Sequence, residues 1–247
     1  MTKISVEFIL PFFNPHLGWD TVVIDNIRQL ETSLPNYEVL LTLVNDGSTE
    51  SIPNEVLEGL HEQIPSLQYI TYKSNKGKGH AIRMGVKKSR GDKLIYTDFD
   101  FPYTQQSVLD VIHRLDTSDV IIGVRSEAYY DALPDKRKRL SLRLQKLNKL
   151  LTGLPITDTQ AGLKGFNRKG KPLFLRTKIH RFLFDLEFVD LAFNEARVKV
   201  STQDIELKPN IEFTKFNKSV LLKEMKNLAL LLVKMNVRRL GRFFKKS

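Results

Sequence analysis

"YEVLLTLVND", residues 37–46, decides how the rest of the chain is read. It is almost wholly apolar, without the polar alternation of a strand that faces water on one side. Such a run belongs to a strand covered on both faces, inside a parallel sheet flanked by helices. The same rhythm extends outward from it. "ISVEFILPF" precedes it as a first strand, and "GWDTVVIDNIRQLETSL" between them spaces Val22, Ile24, Ile27 and Leu30 as a helix does. After it come a helix, "IPNEVLEGLHEQI", a strand, "LQYITYK", a helix, "GHAIRMGVKKS", and a further buried strand, "DKLIYTDFD". Strands separated by helices of this length predict a doubly wound α/β layer with a mostly parallel central sheet.

In such sheets ligands bind beyond the carboxyl ends of the strands. Three polar clusters fall at those ends: "PFFNP" with Pro11 and Asn14, "NDGST" with Asn45 and Asp46, and "TDFD" with Asp98 and Asp100. Far apart in sequence, they converge on one crevice. A carboxylate at Asp46 can accept hydrogen bonds from a nucleotide base or ribose. The same stretch also reads as a plain strand-to-helix turn capped by Ser48 or Thr49. Upstream of the third cluster, "NKGKGHAIRMG" sets Gly77 and Gly79 before a helix, with Lys76, Lys78 and Arg83 beside them. Glycines, a helix start and cations together suit a phosphate. The spacing is neither that of a Walker A loop nor that of the Rossmann fingerprint.

"TDFD" carries a physical conflict. If the backbone stays extended, Asp98 and Asp100 point to the same side and Phe99 to the buried one. Like charges that close repel, and each carboxylate resists leaving water. A hard cation, Mg²⁺ or Mn²⁺, resolves the conflict, with diphosphate oxygens and water completing its shell. A D-x-D pair alone is commonplace. Its position after a buried strand, behind a glycine loop, gives it weight.

The second half is less regular. "DVIIGVRSE" reads as a strand, and "DKRKRLSLRLQKLNK" opens a basic amphipathic helix with Leu140, Leu144, Leu147 and Leu151 on one stripe. A polar turn follows, "PITDTQAGLKGFNR", then a helix, "FDLEFVDLAFNEA", and a strand, "RVKVSTQDIEL". A last helix places Leu221, Met225, Leu228, Leu232 and Met235 on one face. The net charge is +11, and residues 218–247 hold nine Lys or Arg against Glu224 alone. That concentration points to an anionic partner, and the paired Phe243 and Phe244 amid cations suit a membrane surface. No aromatic ribonucleoprotein motif, zinc finger or recognition helix supports nucleic-acid binding. No apolar run reaches the roughly 20 residues of a spanning helix, and "MTKISVEFILPFF" reads as a strand rather than a signal peptide. The absence of cysteine excludes disulfides and thiolate chemistry and fits a cytosolic setting.

In order and spacing, "ILPFFN", "VNDGST", "NKGKGHAIRMG", "GDKLIYTDFDFP" and "GVRSE" resemble the family 2 inverting glycosyltransferases with the GT-A fold. "DTQAGLKGF", residues 158–166, is similar to the turn carried by the dolichyl- or polyprenyl-phosphate hexose transferases of that family. The resemblance covers roughly the first 200 residues. It implies that Pro11 and Asp46 bind the nucleotide, and that Asp98 and Asp100 hold the metal and the sugar nucleotide. It also implies that Arg125 belongs to the donor–acceptor site and that Arg137 and Ser141 bind a lipid phosphate. Asp158 and Gln160 shape the sugar pocket, and Asn14, Asn45, Lys78 and Gly79 complete the nucleotide side. Asn45 stands where the family carries a first acidic residue, Pro15 where a glutamate is common, and His80 where a small residue is usual.

The resulting expectation is a transferase domain over residues 1–210, with a nucleotide-sugar half (1–103) and an acceptor half (104–210). Residues 211–247 form a basic tail that docks on the cytoplasmic face of a membrane. The reaction expected is hexose transfer from a nucleotide sugar to a polyprenyl phosphate, with inversion. A glycan acceptor and a nucleotide-sugar-binding protein without turnover are the alternatives. A phosphate acceptor is already an anion and needs no base, whereas a hydroxyl acceptor needs a carboxylate. Asp158 is then the first candidate base and Glu187 the second.

Overall fold

The computed structural model describes residues 3–126, 129–130, 135–209, 228, 231–233 and 235. The apolar runs become β1 (Ile4–Phe12), β2 (Tyr37–Asn45), β3 (Gln68–Thr71), β4 (Lys93–Tyr96) and β5 (Val120–Arg125). The amphipathic segments between them become α1 (Trp19–Ser33), α2 (Asn54–Gln63), α3 (Lys78–Lys88) and α4 (Gln105–Arg114). Then follow α5 (Asp135–Thr152), β6 (Lys164–Asn167), α6 (Lys171–Leu175), α7 (Phe184–Phe193) and β7 (Val200–Ile205).

One seven-stranded sheet runs in the order β3-β2-β1-β4-β6-β5-β7. All pairings are parallel except those of β6, which is antiparallel to both β4 and β5. The apolar runs follow from burial on both faces. Phe8 and Leu10 point into one core with Val23, Ile27 and Val111 of the helices, while Ile9 points into the other with Ile82, Val86 and Phe188. A strand with a core on each side has no position left for water, so period-two polarity disappears.

Two elements depart from the expectation. The run 92–100 leaves the sheet at Tyr96, and Phe99 and Asp100 lie in a turn. The Phe101 N–H closes a turn onto the Asp98 carbonyl at 3.0 Å, and Phe101 itself has φ +46°. The period-two argument for Asp98 and Asp100 is therefore wrong, and a turn brings them together instead. Phe99 is partly buried against Phe12 and Trp19 and also lines the cleft. The second departure is β6, which lies inside a stretch read as a polar turn.

Helix α5 forms as expected and exposes Arg139, Arg143, Lys146, Lys149 and Leu150. The side chains of Arg137 and of the stripe Leu140, Leu144, Leu147 and Leu151 lie outside the described residues. Of the last helix, Leu231 and Met235 are buried in the second core and Leu228 packs against it. At this stretch the apolar stripe serves the domain. The tail beyond residue 235 lies outside the described residues. Among the described residues no helix is long and apolar enough to cross a membrane.

Candidate active site

The carboxyl ends of β1, β2 and β4 open on one cleft. It is lined by Pro11 and Phe13 from the first cluster, Asp46 from the second, Asp98 and Phe99 from the third, and Gly77 and Lys78 of the glycine loop. The predicted convergence is thus present.

Asn14 and Asn45 build the loops of this cleft. The Asn14 N–H donates to Ser48 Oγ at 2.9 Å, and its Oδ1 accepts from the Thr49 N–H and hydroxyl. Asn45 Oδ1 accepts from the Ser48 N–H at 2.8 Å, and its Nδ2 donates to the Tyr69 hydroxyl. Asn14, expected on the nucleotide, thus ties the first cluster to the second, and Asn45, expected there too, braces its own turn and β3. Asp46 is buried and accepts from the Tyr72 hydroxyl (2.6 Å), Lys76 N–H (2.9 Å) and Gly77 N–H (2.8 Å). Burial and the Asp46 carboxylate push the Tyr72 phenol well above its usual range. Of roughly four lone-pair sites on a carboxylate, one remains for a ligand.

Gly77 has φ +101°, a conformation open to glycine alone, and a Cβ there would sit 2.5 Å from the His180 carbonyl. Gly79 is buried, and a Cβ there would meet Phe184 Cβ at 2.6 Å. The lack of a side chain there admits α7 to α3.

Lys78 Nζ meets Asp98 Oδ1 at 2.5 Å. Burial lowers the Lys78 pKa, but the charges of Asp98, Asp185 and Asp100 outweigh it and hold the ammonium above its usual range. Asp100 is pushed up by burial first and by the Asp98 charge second. Two crowded hard-oxygen donors, one of them resisting ionisation, fit a divalent cation. Among the described residues no group of three or more His, Cys, Asp or Glu could hold one unaided. Such an ion shares the oxygens of its substrate, as Mg²⁺ does with phosphates.

The "DTQAG" turn packs against Asp98. The Gly162 N–H donates to the Tyr103 hydroxyl at 2.7 Å, and a Cβ at Gly162 would lie 2.8 Å from Asp98 Oδ2. Beneath it, fully buried Lys164 donates to the Ala161 carbonyl (2.5 Å) and to Asp185 Oδ1 (2.7 Å), which also accepts from the Tyr96 hydroxyl. The Gln160 Nε2 is buried with no hydrogen-bond partner among the described residues. Sequence reasoning missed Tyr103, Gly162, Lys164 and Asp185, and equally Arg181 and Phe182, which line the cleft. Only a lysine amid the apolar residues of "GLKGF" hinted at the buried pin.

Asp158 is not a base. Its Oδ2 accepts from Arg125 Nε (2.7 Å) and the Arg125 N–H (2.9 Å), and its Oδ1 from Arg125 Nη2 (2.7 Å) and the Gln160 N–H (3.2 Å). Burial raises its carboxyl, but the Arg125 hydrogen bonds and charge reverse this and leave it below the usual range. Glu187 is buried and accepts at Oε2 from the Lys178 and Ile179 N–H groups, at 2.6 and 2.8 Å. Both candidate bases are structural acceptors. Ser141 is half-exposed on α5.

Comparison with known proteins agrees with this architecture. The glycosyl transferase family 2 profile matches residues 8–171. A dolichyl-phosphate beta-glucosyltransferase of Dictyostelium discoideum is 28% identical over 206 residues, covering 77% of this chain and 62% of the relative. One of Drosophila melanogaster is 28% identical over 210 residues, covering 78% of this chain and 64% of the relative. The chain thus spans less than two thirds of these relatives' length. Glucosyl-3-phosphoglycerate synthase from Mycobacterium tuberculosis, solved with UDP, superposes with a TM-score of 0.62 at 14% identity, over 94% of this chain and 79% of that one. A mannosyltransferase from Pyrobaculum calidifontis, solved with GDP-Man and Mn²⁺, gives 0.54 at 16% identity, over 85% and 58%. The fold is GT-A, and with a family profile matched across most of its length, the chain belongs to glycosyl transferase family 2.

Proposed function

We propose that the chain transfers a hexose from a nucleotide sugar to a polyprenyl phosphate, with inversion, at the cytoplasmic face of a membrane. The observation that carries the choice of acceptor is the engagement of Asp158 and Glu187. Asp158 is engaged at both oxygens and Glu187 is held at Oε2 by two backbone N–H groups, an arrangement that favours an acceptor needing no base. A phosphate monoester needs none, because it is already an anion near neutral pH. Its oxygen attacks the anomeric carbon, the bond from that carbon to the diphosphate breaks, and the nucleoside diphosphate leaves with the electron pair.

Asp98 and Asp100 would hold Mg²⁺ or Mn²⁺, which when bound neutralises charge on the departing diphosphate. Lys78 adds a fixed positive charge to the same place, worth most where water is excluded. Asp46 offers its remaining lone pair to the base or ribose, with Pro11 forming the wall. Gln160 reads the sugar. Arg125 keeps N–H donors beyond those engaged by Asp158 and Tyr129, and with Arg137 and Ser141 it positions the acceptor phosphate. The exposed cations of α5, beside the 81%-exposed Leu150, suit an anionic lipid surface, each contributing about 1 kcal/mol at close range.

A donor-by-acceptor screen tests this directly. Labelled UDP- and GDP-hexoses incubated with extracted lipid phosphates should yield label in the organic phase, and EDTA should stop it. Label appearing only on a water-soluble glycan would overturn the acceptor, and nucleotide-sugar binding with no turnover under any acceptor would overturn the enzyme. Glu187→Gln keeps an acceptor for the two N–H groups. Its kcat is expected to stay within about threefold of the parent, against the 10²–10⁴-fold loss of a general base.

A further inference from the structure

Two cations line the cleft, Lys78 and Arg181. Lys78 is paired with Asp98. Among the described residues the Arg181 guanidinium has no hydrogen-bond or ion-pair partner. An unpaired arginine on a loop between two helices is ordinary, but the mounting of this one is not. Glu187 grips the loop from below through the Lys178 and Ile179 N–H groups. Arg83 Nη1 donates to Thr177 Oγ1 at 3.1 Å and to the Ile179 carbonyl at 2.6 Å. The His180 carbonyl accepts from the His80 N–H at 3.2 Å. The loop lies so close to the glycine loop that a Cβ on Gly77 would be 3.0 Å from Arg181 Cγ.

Three separate braces thus hold the backbone over residues 177–180, immediately ahead of a charge that has no partner among the described residues. A loop held this way loses little backbone entropy on binding, one condition for preorganised recognition. Its planar fork matches phosphate oxygens, and the cleft it lines already holds a lysine and the two carboxylates suited to a diphosphate-bound cation. We infer that Arg181 binds the diphosphate of the nucleotide-sugar donor, acting together with Lys78 of the neighbouring glycine loop. This rests on the nucleotide-sugar reading above and adds to it a residue outside all three strand-end clusters. The acceptor's phosphate has the same chemistry, so the test separates the two.

Calorimetry on the full chain with UDP and GDP in the presence of Mn²⁺, ligand-observed NMR with the matching nucleosides, and the KM for lipid phosphate are compared for the parent, Arg181→Ala and Arg181→Lys. Arg181→Ala should weaken the preferred diphosphate by about tenfold to a hundredfold, as loss of a charge-assisted hydrogen bond does. Nucleoside affinity and acceptor KM should stay within about twofold. Arg181→Lys, which keeps the charge and loses the fork, should fall between. Equal diphosphate affinity in the parent and Arg181→Ala overturns this role and leaves the nucleotide-sugar reading intact. Equal losses for diphosphate and nucleoside mark a collapsed loop and overturn it too. A raised acceptor KM with unchanged diphosphate affinity moves Arg181 to the acceptor and overturns it. A parent chain that binds neither diphosphate overturns both readings.

Discussion

An Arg125→Met variant is expected to lose about 3–5 kcal/mol of folding stability near neutral pH, the range for breaking a buried ion pair by removing one partner. The size follows from what remains. Asp158 is 1% exposed, and the substitution takes away its bidentate partner while leaving the carboxylate in place. Two backbone N–H donors are all that then hold it. The pH dependence carries a signature. In the parent the Asp158 pKa is depressed, so its stabilising contribution is complete above the unfolded value of about 3.9 and is lost only as pH falls through the lower folded value. In the variant burial persists without the guanidinium, and the carboxyl rises above its unfolded value. The deficit is then full above that raised value and shrinks as pH falls through it. Urea denaturation at about pH 7 and about pH 5 should therefore show the variant approaching the parent on acidification. Adding Asp158→Asn to Arg125→Met, which removes the stranded charge, should recover part of the loss at the higher pH. A deficit below about 1 kcal/mol, equal at both pH values, would show that the pair is solvated after all.

The parts of this molecule legible in its sequence are those whose cause is local. Residues 37–46 read as a buried strand because burial on both faces shows in each residue, and β2 occupies residues 37–45. The three strand-end clusters were legible for a topological reason, since parallel strands place all their carboxyl ends on one edge. What escaped reading depends on partners far along the chain. β4 stops at Tyr96 because Lys164 is its last partner in the sheet, and nothing near residue 96 announces that. Lys164 lies fully buried in a four-residue strand because Asp185, 21 positions on, accepts its hydrogen bond and balances its charge. The same separation hid the roles of the two carboxylates read as bases. Asp158 and Glu187 have the residue type that base catalysis needs, and only the folded chain shows both Asp158 oxygens engaged, chiefly by Arg125 33 positions back, and Glu187 Oε2 held by two backbone N–H groups. Asn14 and Asn45 erred in the other direction. Their position at strand ends drew a ligand-binding reading, while the structure gives them the commoner work of asparagine in a turn.

Gly162→Ala should reduce kcat/KM by about a hundredfold or more, the scale for misplacing a reacting group by about an ångström, with the fold intact. Gly162 is not among the residues with left-handed backbone, so alanine fits its conformation without strain. The added Cβ would stand 2.8 Å from Asp98 Oδ2, 3.3 Å from the Tyr103 hydroxyl and 3.7 Å from Lys78 Nζ. Tyr103 is nearly buried, and its hydroxyl is held by the Gly162 N–H, so it cannot retreat. The Asp98 side chain is 41% exposed and can. The carboxylate therefore swings toward solvent and breaks the 2.5 Å contact with Lys78. A half-exposed pair of this kind is worth at most about 1 kcal/mol, so the melting temperature should move by no more than a few degrees. Activity and metal-dependent nucleotide binding should fall together, because the cation and the diphosphate would be held at the same displaced oxygen. Gly77→Ala is the contrast. At φ +101° and 2.5 Å from a backbone carbonyl, its strain has nowhere to go but the fold, and stability should fall with activity. Full turnover by a Gly162→Ala protein of parental stability would mean that the reaction does not depend on Asp98 standing where the "DTQAG" turn holds it, and the metal-clamp reading of "TDFD" would fail with it.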